Sequence, residues 1–443
     1  MDLFKEEGIE KKNNKKNTNG VNYLLDKGER NMKAFLRIVI PVLLVSSLAA
    51  CAKPTATPIV TEGDTEVTLS ANEQWAKDNG LGIYQPATDD WAAIEAAAKL
   101  EGSICVYANS SKITKLQEPW EALYPDIKWD CGDTDGIDVK MRAEQEAGNV
   151  VGDVWFNSDG HILVGEFMPN QWIWSFVPRD VEIPELTAEV PFAVARHAID
   201  VWGYNSEIHP EGCPLTNWWQ LTESPLEGKV YTEDPMTDVS TMAKWATVAE
   251  HGDEMAAAYK ELYGVEWTED PETQADAYGQ EVPNAGWLWI KKFGQNHPTV
   301  VDEIDIAYAS VGMDPSVEPG IGWTGWNSIE DTWAGDIVMA PCLEMSPSLG
   351  IMKTSFLAVA NMAPHPNAAK LFIKLALSQD GYEPWNKFGS YPATPSIELP
   401  EGAMPLEEVL AKAWLMNPIY DWEWSARVRD FWAISLLTPK IEE

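Results

Sequence analysis

In the stretch Ser103-Ile-Cys-Val-Tyr-Ala-Asn-Ser-Ser111, an apolar run is followed at once by a polar turn. Residues 103–107 have the composition of a short buried strand. Residues 112–124 then show the periodicity of an amphipathic helix, with Leu116, Trp120 and Leu123 on its inner face. Strand, polar turn and helix in this order predict one unit of an α/β domain.

The same unit recurs on both sides of this stretch. Upstream, Asp89 and Asp90 precede an Ala- and Glu-rich segment that predicts a capped helix over residues 92–100. Downstream, the sequence predicts two strands and a helix between them, at residues 127–131, 153–156 and 139–147. This βαβαβ order predicts an α/β fold with a mostly parallel sheet flanked by helices.

Polar residues stand at the ends of three successive predicted strands. Ligands of open α/β sheets bind beyond the carboxyl ends of the strands, so we expect binding side chains at these turns. Each turn alone is equally typical of a helix cap. The candidates are Asn109, Ser110, Ser111, Asp133, Asp135, Asn157, Ser158 and Asp159.

A second α/β stretch follows a long apolar segment at residues 193–204. We interpret this segment as a strand that crosses into a second lobe, which begins near Asn205. The further predicted elements are strands at residues 229–232 and 337–343, a loop at 234–241, and helices at 217–221, 242–249, 287–293 and 368–377. The last helix has its inner face formed by Leu371, Phe372, Leu375 and Ala376.

The N-terminal region contains an export signal. A short apolar run at residues 38–48 follows Lys33 and Arg37, and it ends in Leu48-Ala-Ala-Cys51. This pattern resembles a bacterial lipoprotein signal, in which the cysteine carries the lipid. The run is too short for a membrane-anchor helix.

We therefore expect residues 32–51 to be a signal peptide with Cys51 lipidated. Residues 1–31 are an upstream extension or the result of a start assigned too early. Residues 52–90 are expected to form a flexible tether and a lead-in, because the Thr-, Pro- and Glu-rich composition up to about Ser70 buries no core.

Composition and motifs exclude several functions. The chain has 69 acidic and 32 basic residues and a formal charge of −37, so nucleic acid is not an expected partner. The sequence has no Gly-x-Ser-x-Gly elbow, no His-Glu-x-x-His pair and no Gly-Lys-Ser/Thr phosphate loop. We expect neither an enzyme nor a cofactor, although a carboxylate pair for glycoside hydrolysis is not visible from sequence.

Four cysteines remain after Cys51, and in an exported protein they predict two disulfides with three connectivities. We favour Cys105–Cys131, because neighbouring parallel strands bring these residues together, and Cys213–Cys342. The alternative is four free buried thiols.

Several motifs resemble those of the extracellular solute-binding proteins of ABC importers, in order, over residues 98–395. They include Trp120-Glu-Ala-Leu-Tyr-Pro-Asp-Ile-Lys128, Trp202-Gly-Tyr-Asn-Ser-Glu207, Asn217-Trp-Trp-Gln-Leu221 and Phe388-Gly-Ser-Tyr-Pro392. The branch that binds ferric iron, polyamines, thiamine, sugars and phosphonates is the most similar.

The resemblance implies a type II periplasmic-binding-protein fold, in which hinge strands join two α/β lobes around a cleft. It places lobe 1 at residues 91–204 with part of 300–360, lobe 2 at 205–300, and a C-terminal helical region at 361–443. The implied partners are a small solute, an ABC permease and its ATPase. We expect a monomer outside the cytoplasm, held to the membrane by the lipid on Cys51.

Candidate ligand contacts also come from the 22 tryptophans. We expect Trp323 and Trp326, in a flexible glycine-rich loop, to face the cleft, and Trp218 and Trp219 to pack in the second lobe. The other candidates are Tyr204, Thr237, Ser240, Thr241, Thr324 and Tyr391. Aromatic faces and carboxylates favour an amine such as a polyamine, and aromatic faces with polar turns favour a sugar.

Other hypotheses remain open at this point. Ferric-iron members of the family use adjacent tyrosines, whereas Gly389-Ser-Tyr391 offers one tyrosine, with His161 as a second candidate ligand. An anion is a further alternative, bound by helix N-termini. A surface lipoprotein that binds protein partners would use exposed aromatic side chains among Trp414, Trp422, Trp424 and Trp432.

Overall fold

The computed structural model describes residues 68–134, 136–184, 187–268, 281–302, 304–313, 316, 318–332 and 338–438. The signal segment with Cys51 and the candidate site residue Asp135 lie outside these residues, as does Ile337 of the predicted strand at 337–343.

The helices follow the predicted order. They are α1 (Ala71–Asp78), α2 (Trp91–Glu101), α3 (Gln117–Leu123), α4 (Ile137–Ala147), α5 (Gly160–Ile162), α6 (Val239–Glu250), α7 (Gly252–Tyr263), α8 (Ala285–Gln295), α9 (Ile304–Met313), α10 (Trp326–Thr332), α11 (Pro366–Ala376), α12 (Gln379–Tyr382), α13 (Leu406–Leu410) and α14 (Pro418–Leu437). A π-helical turn, Leu163–Phe167, continues α5, and short 3₁₀ segments include Ser111–Leu116, Trp218–Thr222 and Glu383–Trp385.

The strands form one sheet. They are β1 (Ser103–Ala108), β2 (Lys128–Asp133), β3 (Val154–Asn157), β4 (Ile173–Trp174), β5 (Ala193–Asn205), β6 (Val230–Glu233), β7 (Thr299–Val301), β8 (Ile321–Gly325), β9 (Met339–Pro341), β10 (Gly350–Ala360), β11 (Ser390–Pro392) and β12 (Trp414–Leu415). The main order is β2-β1-β3-β10-β5-β8-β6-β7.

Two long strands connect the halves of this sheet. Strands β1, β2 and β3 are parallel on one side, and β6, β7 and β8 are parallel on the other. Between them β5 and β10 run antiparallel to each other. Strand β10 pairs with β3 through Phe356 to Val359, whereas β5 pairs with β8 through Asp200 to Tyr204. The predicted α/β architecture with helix-covered parallel strands is therefore confirmed.

The packing also changes from one half to the other along the crossing strands. Ala195 of β5 belongs to a core with β1 and β3, whereas Trp202 of the same strand belongs to a second, tryptophan-rich core. Ile199 and Val201 belong to a third core, on the opposite face of β5 from Trp202. Two main cores joined by two continuous strands are the basis of a two-lobed body.

Two local expectations were wrong. Leu123 is 53% exposed, whereas Leu116 and Trp120 are buried. Residues Ser111–Leu116 form a 3₁₀ helix with three residues per turn, so the predicted α-helical face does not extend over the whole segment.

The expected flexible loop with Trp323 is instead the buried strand β8. Its glycines permit close packing: a Cβ atom on Gly322 would lie 3.1 Å from Val311. The glycine content had indicated a flexible loop, but in the structure the missing side chains let helix α9 pack closely against β8.

The structure contains the two favoured disulfides. Cys105 and Cys131 are register partners on β1 and β2, with Cα atoms 4.5 Å apart. Cys213 and Cys342 are bonded across 129 residues of sequence, with Cα atoms 5.3 Å apart.

A buried ion cluster joins the crossing strands to the second half. Lys244 Nζ of α6 lies 2.6 Å from Asp200 Oδ2 of β5, and Lys353 Nζ of β10 lies 3.2 Å from the same oxygen. Asp200 and Lys244 are nearly fully buried. Burial alone raises the pKa of Asp200, but the charges of Lys244 and Lys353 outweigh it and bring this pKa to about 2.

We predict that Asp200→Asn lowers the free energy of unfolding by about 3 kcal/mol at pH 7, because it leaves Lys244 buried without its counter-ion. Since the pKa of Asp200 is depressed on folding, its stabilising effect is complete above its ordinary value of 3.8 and is lost as the pH falls towards about 2. Urea unfolding of both proteins measures the difference.

The matched control is Asp180→Asn, which breaks the half-exposed ion pair with Lys374 and should cost less than about 1 kcal/mol. Equal effects of the two substitutions would contradict the role assigned to the buried cluster.

Candidate functional site

One face of the crossing strands carries charged and polar side chains. Side chains alternate between the faces of a strand, so Arg196 and Asp200 of β5 share a face, and Lys353 and Ser355 of β10 lie on it too, with Ser355 opposite Arg196. The hydrogen bond from Lys353 Nζ to Asp200 Oδ2 confirms the shared face. We call this surface the crossing face.

The first half of the molecule contributes a cluster of polar side chains, with two carboxyl groups, to the candidate site. After β3, Asn157 Nδ2 donates to Asp159 Oδ2 at 3.0 Å and to Asp138 Oδ2 at 3.2 Å. Asp159 is 7% exposed, and its Oδ1 has no hydrogen-bond partner among the described residues. A single turn, Gly160–Ile162, places His161 beside it, with Nδ1 likewise unpaired in this part of the chain.

The electrostatics of this group follow from burial. Burial, together with the charge of Asp159, raises the pKa of Asp138 to about 7. Burial lowers the pKa of His161, against the opposing charges of Asp159 and Asp238. Asp238 lies at the start of α6, so this contribution to the pKa of His161 comes from the second half of the molecule.

The second half contributes the start of α6. Asp238 caps this helix by accepting from the backbone N–H of Thr241. Thr241 Oγ1 donates to Glu233 Oε2 of β6 at 2.8 Å. Burial raises the pKa of Glu233, and the neighbouring charge of Asp238 adds to this effect. Lys244, one turn further along α6, reaches Asp200 on the crossing face.

A chain of contacts connects the turns of the first half to Arg196. Asn109 Nδ2 donates to Ser158 Oγ at 2.7 Å, and Trp385 Nε1 donates to Ser110 Oγ at 3.1 Å. The Trp385 ring in turn lies 5.5 Å from the Arg196 guanidinium carbon. The turns after β1 and β3 are therefore adjacent to the crossing face, as the carboxyl-end rule predicts.

Five of the predicted site residues lie at the end of β3 or in the turns after β1 and β3: Asn109, Ser110, Asn157, Ser158 and Asp159. A sixth, Thr241, lies at the start of α6 and bonds to Glu233. Other candidates lie elsewhere. Asp133 forms an ion pair with Lys140. Ser111 and Thr237 are exposed, and Ser240 is half-buried in the first turn of α6. Tyr204 is buried and packs edge-on against His209.

The expected cleft tryptophans have different surroundings. Trp323 is fully buried, with its ring centroid 5.0 Å from that of Trp202 and 5.8 Å from that of Trp245. This packing resembles that of Trp218 and favours a core role. The following residue, Thr324, is also fully buried in β8.

Trp326 and Tyr391 belong to the third core, which lies on the face of β5 opposite the crossing face. Trp326 also lines a pocket of about 520 Å³ together with Pro341, Leu343, Phe388, Gly402, Ala403, Met404, Pro405 and Glu408. Within the described residues, no group of three or more His, Cys, Asp or Glu side chains is arranged to hold a metal ion.

Sequence reasoning missed Asp138, Arg196, Asp200, Glu233, Asp238 and Lys244 as site residues. A signal was available for two of them. Arg196 and Asp200 interrupt an otherwise apolar strand, and charges in a buried strand are rare unless they are paired or functional.

Comparisons with known proteins agree on the fold. No protein-family profile and no curated protein sequence matches the chain. Solved structures do match. Iron-bound HitA from Pseudomonas aeruginosa is 14% identical, with a TM-score of 0.54, over 75% of this chain and 99% of that one.

Apo ferric ion-binding protein A from Pasteurella haemolytica is 13% identical, with a TM-score of 0.55, over 77% of this chain and 100% of that one. An ABC transporter substrate-binding protein from Bradyrhizobium japonicum USDA 110 is 14% identical, with a TM-score of 0.52, over 76% of this chain and 99% of that one. The chain therefore has the two-lobed α/β fold of the type II periplasmic binding proteins.

Proposed function

We propose that this protein is the solute-binding component of an ABC importer. It captures a small solute between its two lobes and presents the closed form to the permease and its ATPase. The observation that carries this proposal is a set of buried polar atoms, on Asp159, His161 and Arg196, that have no hydrogen-bond partner among the described residues. Arg196 lies on a strand that connects the lobes, and Asp159 and His161 follow β3. Buried polar atoms of this kind require a partner, and a bound solute supplies one.

The fold supports binding rather than catalysis. The similar structures include an ABC transporter substrate-binding protein and ferric-iron-binding proteins. The sequence motifs of a serine hydrolase, a zinc protease and a P-loop enzyme are missing from the chain. We therefore propose no enzymatic activity and no cofactor.

We further propose that the solute carries an amine. We assign four carboxyl groups to the site, those of Asp138 and Asp159 from one lobe and those of Glu233 and Asp238 from the other. Asp159 Oδ1, which has no partner in the described structure, is available to an ammonium group. This arrangement favours an amine such as a polyamine over a neutral sugar.

A ferric-iron site built on His161 and Tyr391 has less support. His161 lies near Asp159 and Asp238, whereas Tyr391 belongs to the third core and pairs with His197 on β5. His161 and Tyr391 therefore belong to different groups of side chains, and no contact among the described residues brings them together as ligands of one metal ion. A protein-binding role for the C-terminal tryptophans is also weaker, because Trp414 and Trp432 are buried.

The cellular arrangement completes the proposal. We propose that Cys51 carries a lipid and that the body works as a monomer outside the cytoplasm. We propose that residues 52–90 act as tether and lead-in, but the part from α1 onward is folded, since Ala76 and Leu81 are buried in the first core. Within the described residues, no helix is both long and apolar enough to span a membrane.

We predict that an amine solute raises the melting temperature of the full chain and reduces its radius of gyration in solution scattering, because ligand contacts to both lobes favour closure. The panel contains putrescine, spermidine, choline, glucose, maltose, ferric citrate and methylphosphonate. Asp159→Asn should weaken amine binding at least tenfold, and Asp180→Asn on the surface of the same lobe should not. Absence of a response to every compound would contradict solute binding.

We predict that amine affinity rises between pH 6 and pH 8. Asp138 has a pKa of about 7, so it gains its charge in this interval, whereas burial lowers the pKa of His161 below its ordinary value. A single group that titrates at pH 7 limits the gain to about tenfold. Calorimetry with putrescine measures it.

Asp138→Asn should abolish this pH dependence, and Asp133→Asn, which affects a surface ion pair, should preserve it. An affinity that is constant with pH in the unmodified protein would contradict the assignment of Asp138 to the amine site.

We predict that Cys51→Ser moves the protein from the membrane fraction to the soluble fraction of expressing bacteria. Ala52→Ser is the control and should leave it membrane-bound. Mass spectrometry of the protein that retains Cys51 should show a lipid on this residue. Recovery of the chain that retains Cys51 in the soluble fraction would refute lipid anchoring.

A further inference from the structure

We propose that the solute is a zwitterion whose anionic group, a carboxylate or phosphonate, binds Arg196 while its ammonium group binds Asp159. This inference rests on the proposed solute-binding function and adds a second subsite to it. It is carried by the surroundings of Arg196, which the amine proposal does not use.

Arg196 is a buried cation without a direct counter-ion in the described structure. It is 6% exposed, and its Nε and Nη1 atoms have no hydrogen-bond partner there. The nearest acid on the same face is Asp200, whose Oδ2 is already bound to Lys244 and Lys353. A guanidinium left in this condition is costly, so the site favours an incoming anion.

Two hydroxyl groups accompany the guanidinium. Ser355 is the register partner of Arg196 on β10, and Pro392 is its partner on β11, two residues before Thr394. Ser355 and Thr394 are both buried, and neither side-chain oxygen has a partner among the described residues. One guanidinium and two hydroxyl donors form a suitable set for an oxyanion.

Trp385 fixes the guanidinium in place. Its ring lies 5.5 Å from the Arg196 guanidinium carbon, within cation–π range, and packs edge-on against Phe156 at 5.4 Å. Its Nε1 donates to Ser110 Oγ. The planar group is therefore held on an aromatic face, an arrangement that a lysine would not reproduce.

One strand separates the backbones of the two subsites. Arg196 is on β5 and Asp159 follows β3, with β10 between them, so their backbones are about two strand spacings, roughly 10 Å, apart. Charge-assisted contacts take about 2.8 Å at each end. A short chain that bears an amine at one end and an oxyanion at the other fits this separation.

Calorimetry on the full chain tests the proposal with matched probes. The zwitterions are ω-amino acids of two to six carbons and 2-aminoethylphosphonate. The single-charge probes are butylamine and butanoate, and glucose and putrescine represent the other solute classes. We expect at least one zwitterion to bind tenfold or more tightly than either single-charge probe.

Substitutions then locate the two charges. Arg196→Gln should weaken the best zwitterion at least tenfold and leave butylamine within about twofold. Asp159→Asn should weaken both. Arg179→Gln removes an exposed arginine of the same lobe and should change neither. Should Arg196→Gln fail to fold, Ser355→Ala and Thr394→Val test the same subsite, each with an expected loss of several-fold.

The outcomes separate this inference from the importer proposal. If amines or sugars bind and the zwitterions have no advantage, the zwitterion inference is overturned and solute binding stands. If Arg196→Gln leaves zwitterion affinity unchanged, buried water is the partner of Arg196 and the inference is overturned. If no probe of any class binds, both proposals fail.

Discussion

The structure depends on burying charge at the point where two strands pass from one core to another. The apolar side chains of β5 and β10 are buried in the cores of the two halves. In the segment between these cores, Arg196, Asp200 and Lys353 lie on a common face of the two strands. Such charges are tolerated in a protein interior only when they are paired. Asp200, Lys244 and Lys353 satisfy one another, and this cluster attaches α6 to the crossing strands.

Within the described residues, neither Arg196 on the crossing face nor Asp159 after β3 has a charged partner of this kind, and we propose that these two residues bind solute. The ion cluster is complete without ligand, so it holds the second half on the strands in every state. We propose that the atoms of Asp159, His161 and Arg196 that lack partners among the described residues gain them when a solute binds. A solute that satisfies groups from both lobes binds the closed arrangement more tightly than an open one, which is the thermodynamic requirement for closure.

Most secondary structure was accessible from the sequence because its signals are local. Asp90 caps α2, as the position of the Asp residues predicted, and Gly102 ends the helix in a left-handed conformation. Tertiary packing determined the errors. Glycines in β8 indicated a loop, yet they admit close neighbours, and Trp323 was assigned to a cleft although three other tryptophans surround it. Neither fact is contained in the periodicity of one segment.

The candidate site was predictable only in the first lobe, where polar residues follow successive parallel strands. The carboxyl-end rule identifies Asn109, Ser110 and Asp159 because it concerns the strand to which each residue belongs. Arg196 was missed because the sequence does not show which residue lies opposite it on the neighbouring strand. A charge within an apolar strand would be purely structural if an acidic residue lay opposite. The register of β5 against β10 places Ser355 opposite it instead.

The charge of the whole chain bears on which solute enters such a site. A formal charge of −37 repels free anions and attracts cations over distances comparable to the screening length. An anion alone would therefore approach Arg196 against the field of the protein. A zwitterion carries no net charge, so this field orients it without repelling it. Its ammonium group meets the carboxyl groups around Asp159, and its oxyanion then reaches a guanidinium that the negative surface protects from competing anions.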